Sequence, residues 1–118
     1  MAENSTQILQ DLINSSGARA AVVVARDGFV IETAGMLGSL DLDTLGASVA
    51  MLLTGAESMG NELRITAFHT LTLEASNAMI MCTPVGDALL VVLAPDSKTL
   101  GMIRLQVKKH VPQLVQFF

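Results

Sequence analysis

The feature of this sequence that most constrains its fold is a pair of apolar runs joined by only a short linker. The runs cover residues 20–25 and 29–34, and the linker between them consists of Arg26, Asp27 and Gly28. Both runs favour strands, and a short Gly-containing linker between two such runs is typical of a β-hairpin. The sequence therefore predicts two adjacent antiparallel strands near the start of the chain.

Helices are predicted on both sides of this hairpin. Apolar residues repeat at helical spacing from Ile8 to Ile13, and Gly17 supplies a stop after them. Asn4, Ser5 and Thr6 are the candidate N-caps. A longer helix is predicted from Asp41 to about Glu62, with Asp41 or Asp43 opening it.

The long helix is apolar on two sides. One stripe contains Leu42, Leu45, Val49, Leu52, Leu53, Ala56 and Met59. The opposite side is hardly more polar, since Glu57 is the only charged residue between Thr44 and Asn61, whereas a surface helix carries charges along that side. The sheet of one small domain covers one side, so the other is predicted to meet a second chain. The alternative is a central helix in a larger monomeric core.

Three more strands and a final helix complete the chain. Residues 67–74 alternate between two sets in the period of a half-buried strand, and residues 79–83 and 88–94 form near-continuous apolar strands around a turn at 84–87. The final helix opens after Pro95 with Asp96 or Ser97 as its cap, and Pro112 is expected to end or kink it near residues 109–111. The predicted order is α-β-β-α-β-β-β-α.

Composition narrows the classes of partner. The length of 118 residues predicts a single domain, 1–118. The net charge of -4 and the aromatic content of 3% disfavour nucleic acid as a partner. No apolar run is long enough to span a membrane, so no membrane span is expected. A start without signal-peptide features and a lone cysteine favour a soluble protein in a reducing cytoplasm.

The sequence carries no motif for chemistry. It lacks a phosphate-binding loop, and His69, His110 and Cys82 are too scattered for a zinc-type ligand set, so neither a cofactor nor a metal is expected. Arg26 and Arg64 are the candidates for an arginine finger, although solvated surface charge is the preferred interpretation of both. The chain is therefore predicted not to be an enzyme.

The final helix has a basic outer face. Its charged residues are Arg104, Lys108, Lys109 and His110. Favourable interaction with the negative end of the helix dipole is the preferred explanation, and partner binding is the alternative.

Taken with this order of elements, three local features resemble the roadblock/dynein light-chain family over nearly the whole length. They are the Ala-rich strand leading into residues 26–29, the segment 84–86 in a hairpin, and the helix opening 97–104. The resemblance implies an α+β, roadblock/profilin-like fold, in which the first and last helices lie on one face of a five-stranded antiparallel sheet and the central helix on the other. It also implies homodimers formed through the third strands and the central helices.

The resemblance also implies a regulatory role without catalysis, commonly on Ras-like small GTPases, as in the prokaryotic regulators of gliding-motility GTPases. The leading hypothesis is a homodimeric adaptor that binds such a GTPase and modulates its nucleotide state. The alternatives are a pure scaffold subunit of a motor or signalling complex and, with less support, a small-molecule sensor. The residues predicted at the dimer or partner interface are Gly46, Val49, Ala50, Met51, Leu53, Phe68, Thr70 and Thr72.

Overall fold

The computed structural model describes residues 4–65 and 67–118, and its elements follow the predicted order. The helices and strands are α1 (Ser5–Ser16), β1 (Ala20–Ala25), β2 (Val30–Gly35), α2 (Leu42–Leu63), β3 (Leu71–Glu74), β4 (Met79–Val85), β5 (Ala88–Ala94) and α3 (Leu100–Leu114). Short 3-10 segments at Ser97–Thr99 and Val115–Phe117 flank α3. The α-β-β-α-β-β-β-α prediction is confirmed.

The strands form one antiparallel sheet in the order β2-β1-β5-β4-β3. The central strands β1 and β5 are almost entirely buried, in keeping with their continuous runs of aliphatic residues. Strands β2 and β3 lie at the two edges. The predicted five-stranded antiparallel sheet is therefore confirmed.

Each face of the sheet carries its own core. On one face, Leu9 and Leu12 of α1 and Ile103 and Leu114 of α3 pack with alternate sheet residues such as Leu90. On the other face, α2 alone packs on a smaller cluster, with these residues in it: Val22, Val24, Val49, Leu53, Cys82, Leu89 and Val91. The predicted division, with the first and last helices on one face and the central helix on the other, is confirmed. The faces are called the α1/α3 face and the α2 face below.

Local signals set the helix ends as the sequence predicts. The side chain of Asn4 accepts a hydrogen bond from the Gln7 amide at 2.8 Å, and Gly17 ends α1 in the left-handed conformation. The carboxylate of Asp41 caps α2 by accepting from the amide and the hydroxyl of Thr44 at 3.2 and 2.8 Å. Both hydrogen bonds lower the pKa of Asp41, and the bond from the hydroxyl has the larger effect.

The β1–β2 turn is one residue longer than the sequence suggests. Phe29 belongs to the turn, so β2 begins at Val30, and the amide of Ala25 donates to the carbonyl of Phe29 at 2.8 Å. Gly28 adopts a φ of 99°, which glycine tolerates and other residues rarely do. The hairpin itself is as predicted.

The third strand is shorter than residues 67–74, and that prediction is corrected to Leu71–Glu74. The ladder ends at the pair Leu71–Cys82, since continuing it would set the strand against Pro84, which has no amide proton to donate. The hydroxyl of Thr83 instead donates to the carbonyl of His69 at 2.7 Å. Phe68 and Thr70 therefore lie in the segment before β3.

The prediction that Pro84 shapes a turn is wrong, and so is the prediction that Pro112 ends the last helix, whereas a kink at Pro112 stays a prediction. Pro84 does not shape a turn, because β4 continues through it to Val85 and pairs Pro84 with Leu89. The turn is left to Gly86, with a φ of 63°, and Asp87. Pro112 does not end the last helix near residues 109–111, since α3 runs through it to the fully buried Leu114. One missing hydrogen bond in the final turn is outweighed by that burial.

Candidate functional site

The two sides of α2 have different environments although both carry few charged residues. Val49 and Leu53 are 6% and 8% exposed and face the sheet. Met51, Met59 and Leu63 are 74%, 53% and 62% exposed. The side of α2 that faces away from the sheet thus presents large apolar side chains to solvent.

These exposed side chains form one ridge. Met51, Gly55, Met59 and Leu63 follow one another at intervals of four, which places them on one side of a helix. We call these four residues the α2 ridge. Beside its first half is a shallow depression lined by Ala50, Met51, Thr54, Gly55 and Ser58. Such a surface of methionine and small residues suits close approach by another chain.

Several polar groups near this depression have partners within the chain. The hydroxyl of Thr54 donates to the carbonyl of Ala50 at 3.0 Å. Arg26 reaches from the β1–β2 turn to Glu57 of α2, with Nη1 3.4 Å from the carboxylate. A partner that covers the ridge would therefore meet mostly apolar atoms.

The α2 face is also incompletely covered at its β3 end. Leu71 and Leu73 of β3 are paired with Cys82 and Ile80, so they point to the same face as α2. Leu73 is 46% exposed there. Strand β3 has a neighbour in the described sheet only on its β4 side, which leaves its outer backbone groups open to strand pairing.

The structure divides the predicted interface residues among four places. Gly46, Val49 and Leu53 lie on the inner side of α2. Gly46 is packed so closely on Gly28 that a Cβ atom there would overlap the Gly28 carbonyl oxygen, so its small size serves contact with the chain's own hairpin.

The other predicted residues are nearer to open surface. Ala50 is half-buried and Met51 is exposed on the outer side of α2. Phe68 and Thr70 precede β3, where the Phe68 ring packs against Gly60 of α2. Thr72 is paired with Met81 and points to the α1/α3 face. Ala50 and Met51 are thus the members of the set that border the depression.

Sequence reasoning did not include Leu63, Leu73 or Met59 among the interface residues, and it placed Met59 in the same apolar stripe as Val49 and Leu53. The interval of four from Met51 to Leu63 was a signal that could have found the α2 ridge. Leu73 had no such signal, because its exposure depends on where the neighbouring elements stop.

The residues considered as candidates for catalysis or metal binding lie in different environments. Cys82 lies under α2, and burial raises the pKa of its thiol from 9.0 to about 11, so it behaves as a small apolar side chain. His110 is buried, with Nδ1 2.7 Å from the carbonyl oxygen of Gln106, whereas His69 is exposed. Among residues 4–65 and 67–118, no cluster of His, Cys, Asp or Glu side chains could hold a metal ion.

The candidate finger residues have ordinary structural surroundings. Arg26 is 53% exposed in its ion pair with Glu57. Arg64 caps the end of α2 in a left-handed conformation with a φ of 60°, and its amide donates to the carbonyl of Asn61 at 3.2 Å.

In the part of the chain that the structure describes, no helix has the length and apolar character that crossing a membrane requires.

This architecture and its apolar surface define a small α+β protein of the interaction-domain class. The family model of the Roadblock/LC7 domain matches residues 5–94, and the chain belongs to that family. An uncharacterized protein of Methanocaldococcus jannaschii is 25% identical over 112 residues, which is 95% of this chain and 94% of that protein.

Two solved structures have nearly the same fold. MglB of Myxococcus xanthus superposes with a TM-score of 0.90 at 24% identity, covering 96% of this chain and 93% of that chain. The gliding protein MglB of Thermus thermophilus gives a TM-score of 0.84 at 25% identity, covering 93% of this chain and 84% of that chain. The similarity extends over all the layers described above.

Proposed function

We propose that this protein is a homodimeric adaptor that binds a Ras-like small GTPase and modulates its nucleotide state. The observation that carries the proposal is the exposed α2 ridge beside the uncovered end of the sheet at Leu73. Exposed apolar surface of this kind marks sites of protein interaction. Membership of the Roadblock/LC7 family and similarity to the MglB gliding proteins support a regulatory partner of this type.

The dimer would be formed by the third strands and central helices of two copies. Antiparallel pairing of two β3 edges extends the sheet across the interface and satisfies the outer backbone groups of each strand. The same approach brings Leu73 and the α2 ridge of one protomer towards those of its partner. Burial of these side chains supplies the apolar contribution that a stable dimer needs.

The GTPase would bind the surface that the two α2 helices and the neighbouring strand ends form together. In this proposal the protein repositions the GTPase's own residues and supplies no group to the reaction. Arg26 is held by Glu57 and Arg64 closes a helix, and neither position resembles a residue poised to project into a phosphate site.

The experiment first measures self-association by sedimentation. We expect a species of about 25 kDa, twice the chain mass of 12.4 kDa. Met51→Asp should weaken the dimer at least about tenfold, because it places a carboxylate in an apolar interface. Met102→Asp is the matched control, since Met102 is 47% exposed on α3, away from the α2 face. A wild-type monomer of about 12.4 kDa would overturn the dimer.

The second measurement uses the Ras-like GTPase that co-purifies with the chain from native cells. Single-turnover GTP hydrolysis is followed with saturating dimer, which separates docking from turnover. A changed hydrolysis or nucleotide-release rate supports the regulator. Binding with unchanged rates makes the protein a scaffold, and failure of any such GTPase to bind contradicts the proposed regulator.

A further inference from the structure

A second recess lies on the α1/α3 face, on the opposite side of the sheet from the α2 ridge. It is an open groove of about 740 Å³ between α3 and the segment that precedes β3. Met81 and Thr83 of β4 and Val107 and Val111 of α3 contribute a largely apolar lining, and residues 68–70 line the other side. We call this recess the α3 groove.

Two cationic side chains line the α3 groove. Arg104 and Lys108 are exposed and stand four residues apart on α3, so they lie on one side of the helix with their Cβ atoms about 6 Å apart. The ion pair found among the described residues is Arg26–Glu57, and neither groove cation has a carboxylate within ion-pair distance there. In a chain with a net charge of -4, two unpaired cations over an apolar groove require an explanation.

The helix dipole does not supply that explanation for both cations. The favourable effect of a positive charge is confined to the last turn of a helix. Arg104 lies in the first half of α3, which runs from Leu100 to Leu114. The helix dipole therefore does not account for Arg104, whose side chain lines the groove.

We propose that the α3 groove binds an acidic, amphipathic peptide segment of a partner protein. Apolar side chains of the segment would lie on Met81, Val107 and Val111, and its carboxylates would pair with Arg104 and Lys108. Alternate residues of an extended chain are about 6.6 Å apart, which is similar to the separation of the Cβ atoms of Arg104 and Lys108. The recognised pattern is thus two acidic residues separated by one other, beside apolar residues.

Other anionic partners fit the groove less well. Binding to a nucleic-acid backbone or to an anionic membrane relies on larger clusters of Lys and Arg than these two. The hydroxyl of Thr83 is already engaged with the carbonyl of His69 at 2.7 Å, so the groove floor offers few free donors to a small ion. A peptide uses the apolar lining as well as the charges.

Charge-reversal variants test the proposal. Short random peptides are selected by display on the wild-type protein, and their affinities are then measured for R104E/K108E and for K109E. Lys109 is the matched control, because it is exposed on the same helix and does not line the groove. Thermal unfolding of each variant shows that it is folded.

The expected result is enrichment of peptides with paired acidic residues and apolar neighbours. R104E/K108E should weaken their binding at least about tenfold, since both attractive pairs become repulsive, while K109E should change it by less than about twofold. Dimer formation and GTPase binding through the α2 face should stay intact in R104E/K108E. A failure of peptide binding at the α3 groove can therefore be distinguished from a failure of the proposed function.

Several outcomes would overturn the proposal. They are selected peptides without acidic residues, equal binding to R104E/K108E, and loss of the dimer in that variant, which would assign the groove to a second copy. Wild-type binding to phosphatidylglycerol vesicles that R104E/K108E loses would assign it to a membrane surface.

Discussion

Helices cover the two faces of the sheet to different degrees. On the α1/α3 face, two helices pack on each other and on the sheet, and Leu9, Leu12 and Leu114 have no exposed surface. On the α2 face, one helix covers the sheet, and Leu73 remains 46% exposed at the β3 end. Both faces are built from similar aliphatic side chains.

The difference indicates which face of the sheet serves stability and which serves interaction. The α1/α3 face has a core that the chain completes by itself, so its buried residues serve folding. The α2 face has its core under the inner side of α2 and keeps an apolar ridge outside, which we assign to a second chain. Substitutions on each face test whether these two roles are separate.

The largest expected effect is on the closed core. Leu12→Ala leaves a cavity beside a fully buried side chain and should lower the free energy of unfolding by about 3–4 kcal/mol. Leu63→Ala, at a position that is 62% exposed, should change it by less than about 0.5 kcal/mol. Urea unfolding measures both at a protein concentration at which sedimentation shows only monomer, so that Leu63 is not buried by a second copy. Equal losses would contradict the division of roles.

A pair of glycines compares the two sides of α2. Gly46→Ala introduces a Cβ that overlaps the Gly28 carbonyl oxygen and should cost about 2–3 kcal/mol of stability. A Cβ at Gly55 meets no neighbouring atom, so Gly55→Ala should raise stability by about 0.5–1 kcal/mol through helix propensity. Thermal unfolding of both variants gives the values at a protein concentration at which sedimentation shows only monomer, so that Gly55 is not in contact with a second copy. If Gly46→Ala were neutral, the close contact of α2 with the hairpin would be wrong.

Leu73 tests the uncovered end of the α2 face. Leu73→Asp should raise the dissociation constant of the dimer at least about tenfold, because the carboxylate loses water on association. Leu105→Asp is its counterpart on the outer side of α3, where Leu105 is 59% exposed, and should leave the dimer unchanged. Sedimentation over a range of concentrations distinguishes them. An unaffected dimer in Leu73→Asp would place this end of the sheet outside the interface.

The smallest expected effect concerns the two arginines near the α2 face. Arg26→Ala removes an exposed ion pair with Glu57 and should cost less than about 1 kcal/mol of stability. With saturating protein, Arg26→Ala or Arg64→Ala should change GTP hydrolysis by the partner less than about tenfold, whereas loss of an arginine finger costs about 10³-fold or more. Single-turnover rates measure this. A thousandfold loss with intact binding would make this chain a contributor to the reaction.

Much of the local structure was predictable because its causes are local. Asn4 and Asp41 cap helices by bonding to amides three residues further on, and Gly17 ends α1 through its own backbone freedom. Strand β5 was predicted to the residue, since its apolar run is bounded by turn residues. The errors at Pro84 and Pro112 arose where distant packing outweighed a local preference.

The sequence by itself determined the order of the elements and the presence of an apolar helix with two sides to bury. It could not determine which apolar residues would stay exposed, because both sides of the helix carry few charges. The tertiary structure decided this by packing Gly46 on Gly28 and Val49 and Leu53 on the sheet. It likewise brought Arg104 and Lys108 to the side of a groove lined by β4. Periodicity depends on neighbours along the chain, whereas surfaces depend on contacts between residues far apart in sequence.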